Sequence, residues 1–204
     1  MSDIETVMRT APVIPVIVMD ELDHAVPLAE ALVAGGLRVL EVTLRTPVAL
    51  PAIAAMSKVP GAIVGAGTVT NARELDAALK AGSQFIVSPG LTEPLAKAAI
   101  ASRVPFLPGI ATAGDIMRGL DLGLTHFKFF PAMAAGGLPA LKALAAPFGQ
   151  CLFCPTGGIG PDNAAEWLAF DPVLCVGGSW VAPRGVSDCA AIEAMARDAM
   201  GLRR

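Results

Sequence analysis

The sequence has 204 residues, of which 54% are hydrophobic and 16% are charged, and this length suits one domain with a large core rather than two. Its formal net charge of -3 argues against nucleic acid as a partner, because binding a phosphate backbone requires concentrated lysine and arginine. The high hydrophobic content does not predict a membrane protein either, since the longest uncharged stretch, 143–161, is interrupted by prolines and glycines and cannot form a spanning helix.

Short apolar runs alternate along the chain with segments of helical period. Residues 2–10 predict a short first helix, in which Ser2 and Glu5 have the spacing of a capping box. The predicted strands are 13–18, 38–44, 62–66, 84–88, 104–108, 125–129, 151–155 and 173–177. The predicted helices between and after them are 22–34, 47–57, 71–81, 92–102, 112–122, 137–146, 161–169 and 187–200.

These units favour a single fold class. Eight strand–helix units without a linker predict one α/β domain over residues 1–204, a (β/α)₈ TIM barrel with a short N-terminal helix. A doubly wound open sheet is the alternative, but no G-x-G-x-x-G follows the first strand. Pro15 argues against the first predicted strand, because proline lacks the N–H of a ladder hydrogen bond.

Other prolines follow the predicted strands rather than interrupt them. Pro89, Pro108, Pro131 and Pro155 each lie at or just after a strand's C-terminal end. In a barrel these ends form one rim, and active sites are built there. We therefore expect the functional site at this rim.

The second predicted strand, RVLEVTLR, alternates polar and apolar residues. Its apolar residues should face the covering helices, which directs Glu41, Thr43 and Arg45 inward or toward the rim. The alternative is a solvated edge strand with one polar face. A barrel has no edges, so a buried carboxylate and guanidinium would need partners or a function.

The segment HFKFFPA, 126–132, places one amine among apolar and aromatic residues. Desolvation of the Lys128 ammonium favours the neutral amine, which can condense with a ketone to form a Schiff base. The alternative is a lysine that extends to water at the end of a strand. Strand alternation places His126 and Phe130 on the same face as Lys128, and Phe127 and Phe129 on the opposite face. We expect His126 to be a core histidine and Phe130 to line a pocket.

Three glycine-rich segments follow predicted strands. GAGTVTN, 65–71, lets a ligand approach the backbone and offers the hydroxyl of Thr68. PTGGIGP, 155–161, and VGGSW, 176–180, follow adjacent strands and suit a phosphate held by backbone N–H groups. The alternative for both is that the glycines only form tight turns.

The N-terminal ten residues are acidic and polar and lack the apolar region of a signal peptide. The four cysteines, Cys151, Cys154, Cys175 and Cys189, fit a reducing compartment. Cys151 and Cys154 form a C-x-x-C inside a predicted strand, and no second Cys or His pair follows at zinc-binding spacing. We expect buried, inert thiols, no metal site, and a cytoplasmic protein.

Seven motifs taken together resemble the 2-keto-3-deoxy-6-phosphogluconate (KDPG) aldolase family, some of whose members also cleave 4-hydroxy-2-oxoglutarate (KHG). They are EVTLR (41–45), GAGTV (65–69), SPG (88–90), PGIAT (108–112), FKFFPA (127–132), PTGGI (155–159) and GGSW (177–180). The resemblance implies a class I aldolase on a (β/α)₈ barrel, a homotrimer without a metal or other cofactor. Its partners would be small molecules, a phosphorylated 2-keto acid and pyruvate.

The resemblance also implies the site residues. Lys128 would carry the covalent imine, and Glu41 would be the acid and base. The residues that would contact the substrate are Arg45 and Thr68 at the pyruvyl carboxylate, Pro89 and Phe130 along the pocket, and Thr156, Gly157, Gly158 and Ser179 at the phosphate.

Two other functions are compatible with the motifs alone. One is a phosphosugar isomerase or epimerase that uses Glu41 as its base and never forms an imine. The other is a non-enzymatic barrel that senses a phosphosugar and regulates a partner. Trapping an imine and measuring turnover would distinguish these functions from an aldolase.

Overall fold

The computed structural model describes residues 3–202. Its helices are α1 (Ile4–Arg9), α2 (Ala25–Ala34), α3 (Ala49–Met56), α4 (Ala72–Lys80), α5 (Glu93–Ser102), α6 (Ala113–Asp121), α7 (Gly137–Ala145), α8 (Ala164–Leu168) and α9 (Cys189–Met200). Its strands are β1 (Val13–Ile17), β2 (Val39–Thr43), β3 (Ile63–Gly67), β4 (Ile86–Val87), β5 (Phe106–Leu107), β6 (Gly109–Ile110), β7 (His126–Phe129), β8 (Leu152–Pro155) and β9 (Val176–Gly178). Strands and helices alternate, as the hydrophobic pattern predicts.

The strands form parallel sheets that curl around an interior. One sheet has six strands in the order β5-β4-β3-β2-β1-β9, and the other has the order β6-β7-β8. The prediction of an α/β fold with a parallel sheet is confirmed. Among residues 3–202, strands β1 to β5 are adjacent in chain order, without the reversal that defines a doubly wound sheet.

Proline accounts for one departure from the predicted strands. The predicted strand 104–108 ends at Leu107, and a second segment, β6, begins at Gly109. Pro108 lies between them and has no N–H for a ladder bond, and there the pairing passes from β4 to β7. Pro15, in contrast, lies within β1 in register with Gly178, while the pairing of β1 with β2 is recorded from Val16 onward.

Side chains separate into two apolar layers according to strand alternation. A smaller cluster on the inner face of the strands, here called the inner cluster, contains Ile14, Val39, Phe85, Val87 and Cys154, among others. A larger cluster between the strands and the helices contains Leu40, Val42, Phe127 and Phe129. The predicted outward direction of these four residues is therefore confirmed, and Glu41 and Lys128 belong to the opposite face.

Helix α1 packs against the inner cluster through its buried residues Val7 and Met8. The predicted capping box is wrong, because the N-cap residue is Asp3, whose carboxylate accepts a hydrogen bond from the backbone N–H of Thr6 at 2.8 Å. Ser2 lies outside the described residues. An aspartate is as good an N-cap as a serine, so sequence spacing did not distinguish the two.

Within residues 3–202, no helix is both long and apolar enough to cross a membrane.

Candidate active site

Lys128 and Glu41 form a buried ion pair inside the curled sheet. The Nζ of Lys128 lies 3.1 Å from Oε1 of Glu41, and the side chains are 5% and 4% exposed. Lys128 lies on β7 and Glu41 on β2, and both side chains point to the inner face. The Lys128 ammonium also lies over the ring of Phe130, 5.3 Å from its centroid. The polar face predicted for β2 is thus an interior face rather than a solvated edge.

Small neighbours leave room for this pair. In the strand register Lys128 lies opposite Gly109 on β6 and Cys154 on β8. A Cβ atom at Gly67 would overlap the carboxylate of Glu41, so glycine is required there for the carboxylate to keep its place. The sequence therefore combines bulky residues on the outer face with small residues around the buried charges.

Lys128 differs from the other lysines of the chain by its burial. The chain has five lysines, all within the described residues. The other four are exposed at the surface: Lys58, Lys80, Lys97 and Lys142. The structure therefore contradicts the alternative of a lysine that extends to water, because Lys128 as a whole residue is 4% exposed.

Arg45 and Thr68 come together beyond the ends of β2 and β3. The Nε of Arg45 donates a hydrogen bond to Oγ1 of Thr68 at 3.3 Å. Thr68 has a φ of 60°, a left-handed conformation that is strained for a β-branched residue. Such strain is concentrated at binding and catalytic sites, where it holds a side chain in place. Thr43, by contrast, is buried and donates to the carbonyl oxygen of Ile17 at 2.9 Å, which ties β2 to β1.

A cavity of about 250 Å³ opens at the C-terminal ends of β7, β8 and β9. The predicted residues that line it are Arg45, Phe130, Thr156, Gly157, Gly158 and Ser179. Gly157 and Gly158 have φ values of 107° and 76°, so both need the conformational freedom of glycine. The glycine-rich segments after β8 and β9 therefore line one cavity.

Pro89 lies apart from this cavity wall. It follows β4, and its carbonyl group lies so close to Gly109 that a Cβ atom at that glycine would overlap it. Gly109 is in register with Lys128. Pro89 is therefore separated from Lys128 by one strand, whereas the glycine-rich segments line the cavity.

Sequence reasoning missed Arg184 and Asp20. Arg184 follows β9 in the segment VAPRG and lines the cavity. Its Nε and Nη2 donate to Oδ2 and Oδ1 of Asp20, each at 2.7 Å. A basic residue in the loop after the last strand was the available signal, because we expect the functional site at the C-terminal ends of the strands.

His126 lies below Lys128 on β7, with its side chain 13% exposed. Its Nε2 lies 3.5 Å from Oε2 of Glu5, a contact without hydrogen-bond geometry. Burial lowers the pKa of His126 below its ordinary value, and the charges of Glu5 and Asp3 oppose this shift. The expected core histidine is therefore packed against α1, away from the cavity.

Three of the four cysteines are buried, and one of these, Cys154, lies opposite Lys128 in the strand register. Cys151 and Cys154 are buried free thiols, Cys175 is buried as well, and burial raises the pKa of the Cys151 thiol. Cys189 is free but exposed, so the burial found for the C-x-x-C pair does not extend to this position. Within residues 3–202, no group of three or more His, Cys, Asp or Glu residues is placed to hold a metal ion.

The family model described as "Aldolase: KDPG and KHG aldolase" matches residues 4–195. The chain belongs to the KDPG and KHG aldolase family. It is therefore a carbon–carbon lyase, and the aldolases described below give no support to the isomerase or epimerase alternative.

Three members of the family show how close this aldolase is to known proteins. The KHG/KDPG aldolase of Escherichia coli K12 is 56% identical over 200 residues, which cover 96% of this chain and 94% of that protein. The crystal structure of the KDPG aldolase of Zymomonas mobilis ZM4 with 3-phosphoglycerate matches with a TM-score of 0.98 and 59% identity, covering 99% of this chain and 97% of that one. The Legionella pneumophila KDPG aldolase, with pyruvate captured as a covalent carbinolamine, matches with a TM-score of 0.95 and 45% identity over 98% of each chain.

Proposed function

We propose that this aldolase cleaves KDPG to pyruvate and glyceraldehyde 3-phosphate through an imine on Lys128. The observation that carries the proposal is the buried contact of 3.1 Å between the Lys128 amine and the Glu41 carboxylate. An amine held beside a carboxylate can pass a proton to it and become a nucleophile. The Legionella relative, in which pyruvate is bound covalently, supports the same chemistry.

The reaction follows from these two groups. The Lys128 amine attacks the C2 ketone, and Glu41 transfers the protons that convert the carbinolamine to an iminium and water. Glu41 then accepts the proton of the C4 hydroxyl, through a water molecule, while the electrons of the C3–C4 bond move into the iminium. This cleavage releases glyceraldehyde 3-phosphate and leaves an enamine. Protonation of the enamine at C3 and hydrolysis of the resulting iminium release pyruvate and restore the lysine.

The substrate would lie along the cavity between its two ends. The Arg45 guanidinium, fixed by Thr68, suits the pyruvyl carboxylate because its fork can bind both oxygens. Pro89 and Phe130 would lie along the carbon chain. The phosphate would lie against the backbone N–H groups and hydroxyls after β8 and β9, supplied by Thr156, Gly157, Gly158 and Ser179.

Cleavage of KHG to pyruvate and glyoxylate is part of the same proposal. KHG has the same pyruvyl half, so Lys128, Glu41 and Arg45 would act on both substrates. The E. coli relative is described as acting on both, which supports this extension.

We also infer that residues 1–204 form one closed (β/α)₈ barrel that assembles as a cytoplasmic homotrimer. Supporting closure, a single residue, Pro108, separates β5 from β6. Isolated parallel bridges between Phe153 and Val173 and between Thr156 and Gly177 also connect the second sheet toward β9. Sedimentation equilibrium tests the trimer, which a monomeric mass would contradict.

Borohydride reduction in the presence of pyruvate tests the proposed chemistry. It should attach a stable adduct to Lys128, identified by peptide mass mapping. The four exposed lysines are internal controls, and a label on any of them instead would contradict the site. Values of kcat/KM for KDPG, KHG and the 6-phosphogalactonate epimer of KDPG then define the substrate range.

A further inference from the structure

One positively charged residue that lines the cavity has no role in the proposed function. Among the described residues that line the cavity, the two with charged side chains are Arg45 and Arg184. Arg45 is bonded to Thr68 at the end of β2. Arg184 comes from the loop after β9, next to Ser179 and the glycine-rich segments.

The pairing of Arg184 with Asp20 leaves most of its donors available. A guanidinium has five N–H groups in a planar fork. The two bonds to Asp20, each of 2.7 Å, use the Nε–H and one N–H of Nη2. Both N–H groups of Nη1 and one of Nη2 remain available to an anion.

Asp20 also holds the arginine in one orientation. Its hydrogen bond and charge raise the pKa of Arg184, and those of Arg184 lower the pKa of Asp20. The Arg184 side chain is 67% exposed, so without a partner it would sample many rotamers. A bidentate pair restricts those rotamers and presents the outer edge of the guanidinium.

A positive charge would strengthen the binding of a phosphate monoester at this end of the cavity. The monoester carries nearly two negative charges at neutral pH, whereas the groups of Gly157 and Gly158 supply only dipoles. Arg184 would supply the full positive charge. A planar guanidinium also matches two phosphate oxygens better than an ammonium does.

We propose that Arg184, positioned by Asp20, is a specificity-determining residue that favours 2-keto acids with a terminal phosphate over the same acids without one. This inference rests on the proposed function and adds a residue that reads the end of the substrate distant from Lys128. Arg184 forms no bond to the reacting carbon atoms, so its effect belongs to KM rather than to kcat.

The test compares two substrates that differ only in the phosphate, KDPG and 2-keto-3-deoxygluconate. In Arg184→Gln, the ratio of their kcat/KM values should fall about tenfold, mainly through KM for KDPG, as for loss of a charge-assisted hydrogen bond at a partly exposed site. Arg184→Lys keeps the charge and should retain most of the ratio. Inorganic phosphate should inhibit KDPG cleavage by the wild type more strongly than by Arg184→Gln.

Arg197→Gln is the matched control. Arg197 pairs with Glu193 on α9, and the side chains of that pair are 69% and 38% exposed, against 67% and 38% for Arg184 and Asp20. The control should keep the wild-type ratio. An unchanged ratio in Arg184→Gln, or an equal loss with both substrates, would overturn the proposal.

Asp20→Asn tests the positioning role. If Asp20 orients Arg184, this variant should raise KM for KDPG about threefold, because a neutral amide holds the guanidinium more weakly. A lower KM would mean that Asp20 competes with the phosphate, and would contradict positioning. Failure of the proposed function is seen separately, as wild-type protein that neither cleaves KDPG nor traps pyruvate on Lys128.

Discussion

The amine of Lys128 and the carboxylate of Glu41 lie 3.1 Å apart although 87 positions separate the two residues in the chain. Each belongs to a strand whose outward residues pack under helices. Both charged groups are buried away from water, so each depends on the other for compensation of its charge. The pair is therefore both the proposed chemical centre of the site and a point where stability depends on charge balance.

Lys128→Met should destabilise the protein as well as inactivate it. Removing one partner leaves the Glu41 carboxylate buried and unpaired, which is expected to lower the free energy of unfolding by about 3 kcal/mol. The double variant Lys128→Met/Glu41→Gln removes both charges and should recover at least half of that loss. Urea unfolding measures both, and full stability of the single variant would show that water already reaches the carboxylate.

Glu41→Gln should separate the chemistry from the binding of pyruvate. Because an amide cannot accept or deliver protons as a carboxylate does, kcat for KDPG should fall about 100-fold or more, with KM changed much less. Borohydride should still trap pyruvate on Lys128, but more slowly than in the wild type, because Glu41 also assists imine formation. Steady-state kinetics give the comparison, with Glu30→Gln on the exposed face of α2 as the control. A rise in KM with kcat unchanged would instead assign Glu41 to substrate binding.

Gly67→Ala should reduce activity by displacing a catalytic group. The added methyl group would overlap the Glu41 carboxylate, which must move away from Lys128. We expect kcat to fall about 100-fold, comparable to loss of the acid and base itself. Gly149→Ala is the control, since nothing lies within 4 Å of a Cβ atom there. Wild-type kcat in Gly67→Ala would show that the observed carboxylate position is not needed.

His126 should make the protein less stable in mild acid. Its pKa in the folded state is lowered, chiefly by burial, so below pH about 6.5 the unfolded chain binds more protons than the folded one. The stability that neutral His126 contributes is therefore present above that pH and is lost as the pH falls toward the folded-state pKa. Glu5 and Asp3 reduce this effect, and Arg9 adds to it.

Urea unfolding of the wild type and His126→Gln at pH 5.5, 6.5 and 7.5 checks this expectation. The advantage of the wild type over the variant should shrink as the pH falls. An advantage that grows toward acid would mean that the Glu5 contact outweighs burial. His24→Gln, on an exposed side chain, is the control for removing a histidine.

Local patterns predicted most of the architecture because strand and helix periods are properties of the chain itself. Alternation correctly assigned Glu41 and Lys128 to one face and Phe127 and Phe129 to the other. The ends of helices and strands were harder to predict where two alternative end points have similar free energies. Asp3 replaces Ser2 as the N-cap, and Pro108 divides one predicted strand into β5 and β6.

The sequence by itself determined the order of strands and helices, the residues that face inward, and the motifs of the family. Only the tertiary structure decided which of these residues meet. The curl of the sheet brings Lys128 to Glu41, and the loops at the rim bring Arg184 to Asp20, 164 positions away. Such contacts depend on the summed packing of the whole fold, so no local period in the chain encodes them.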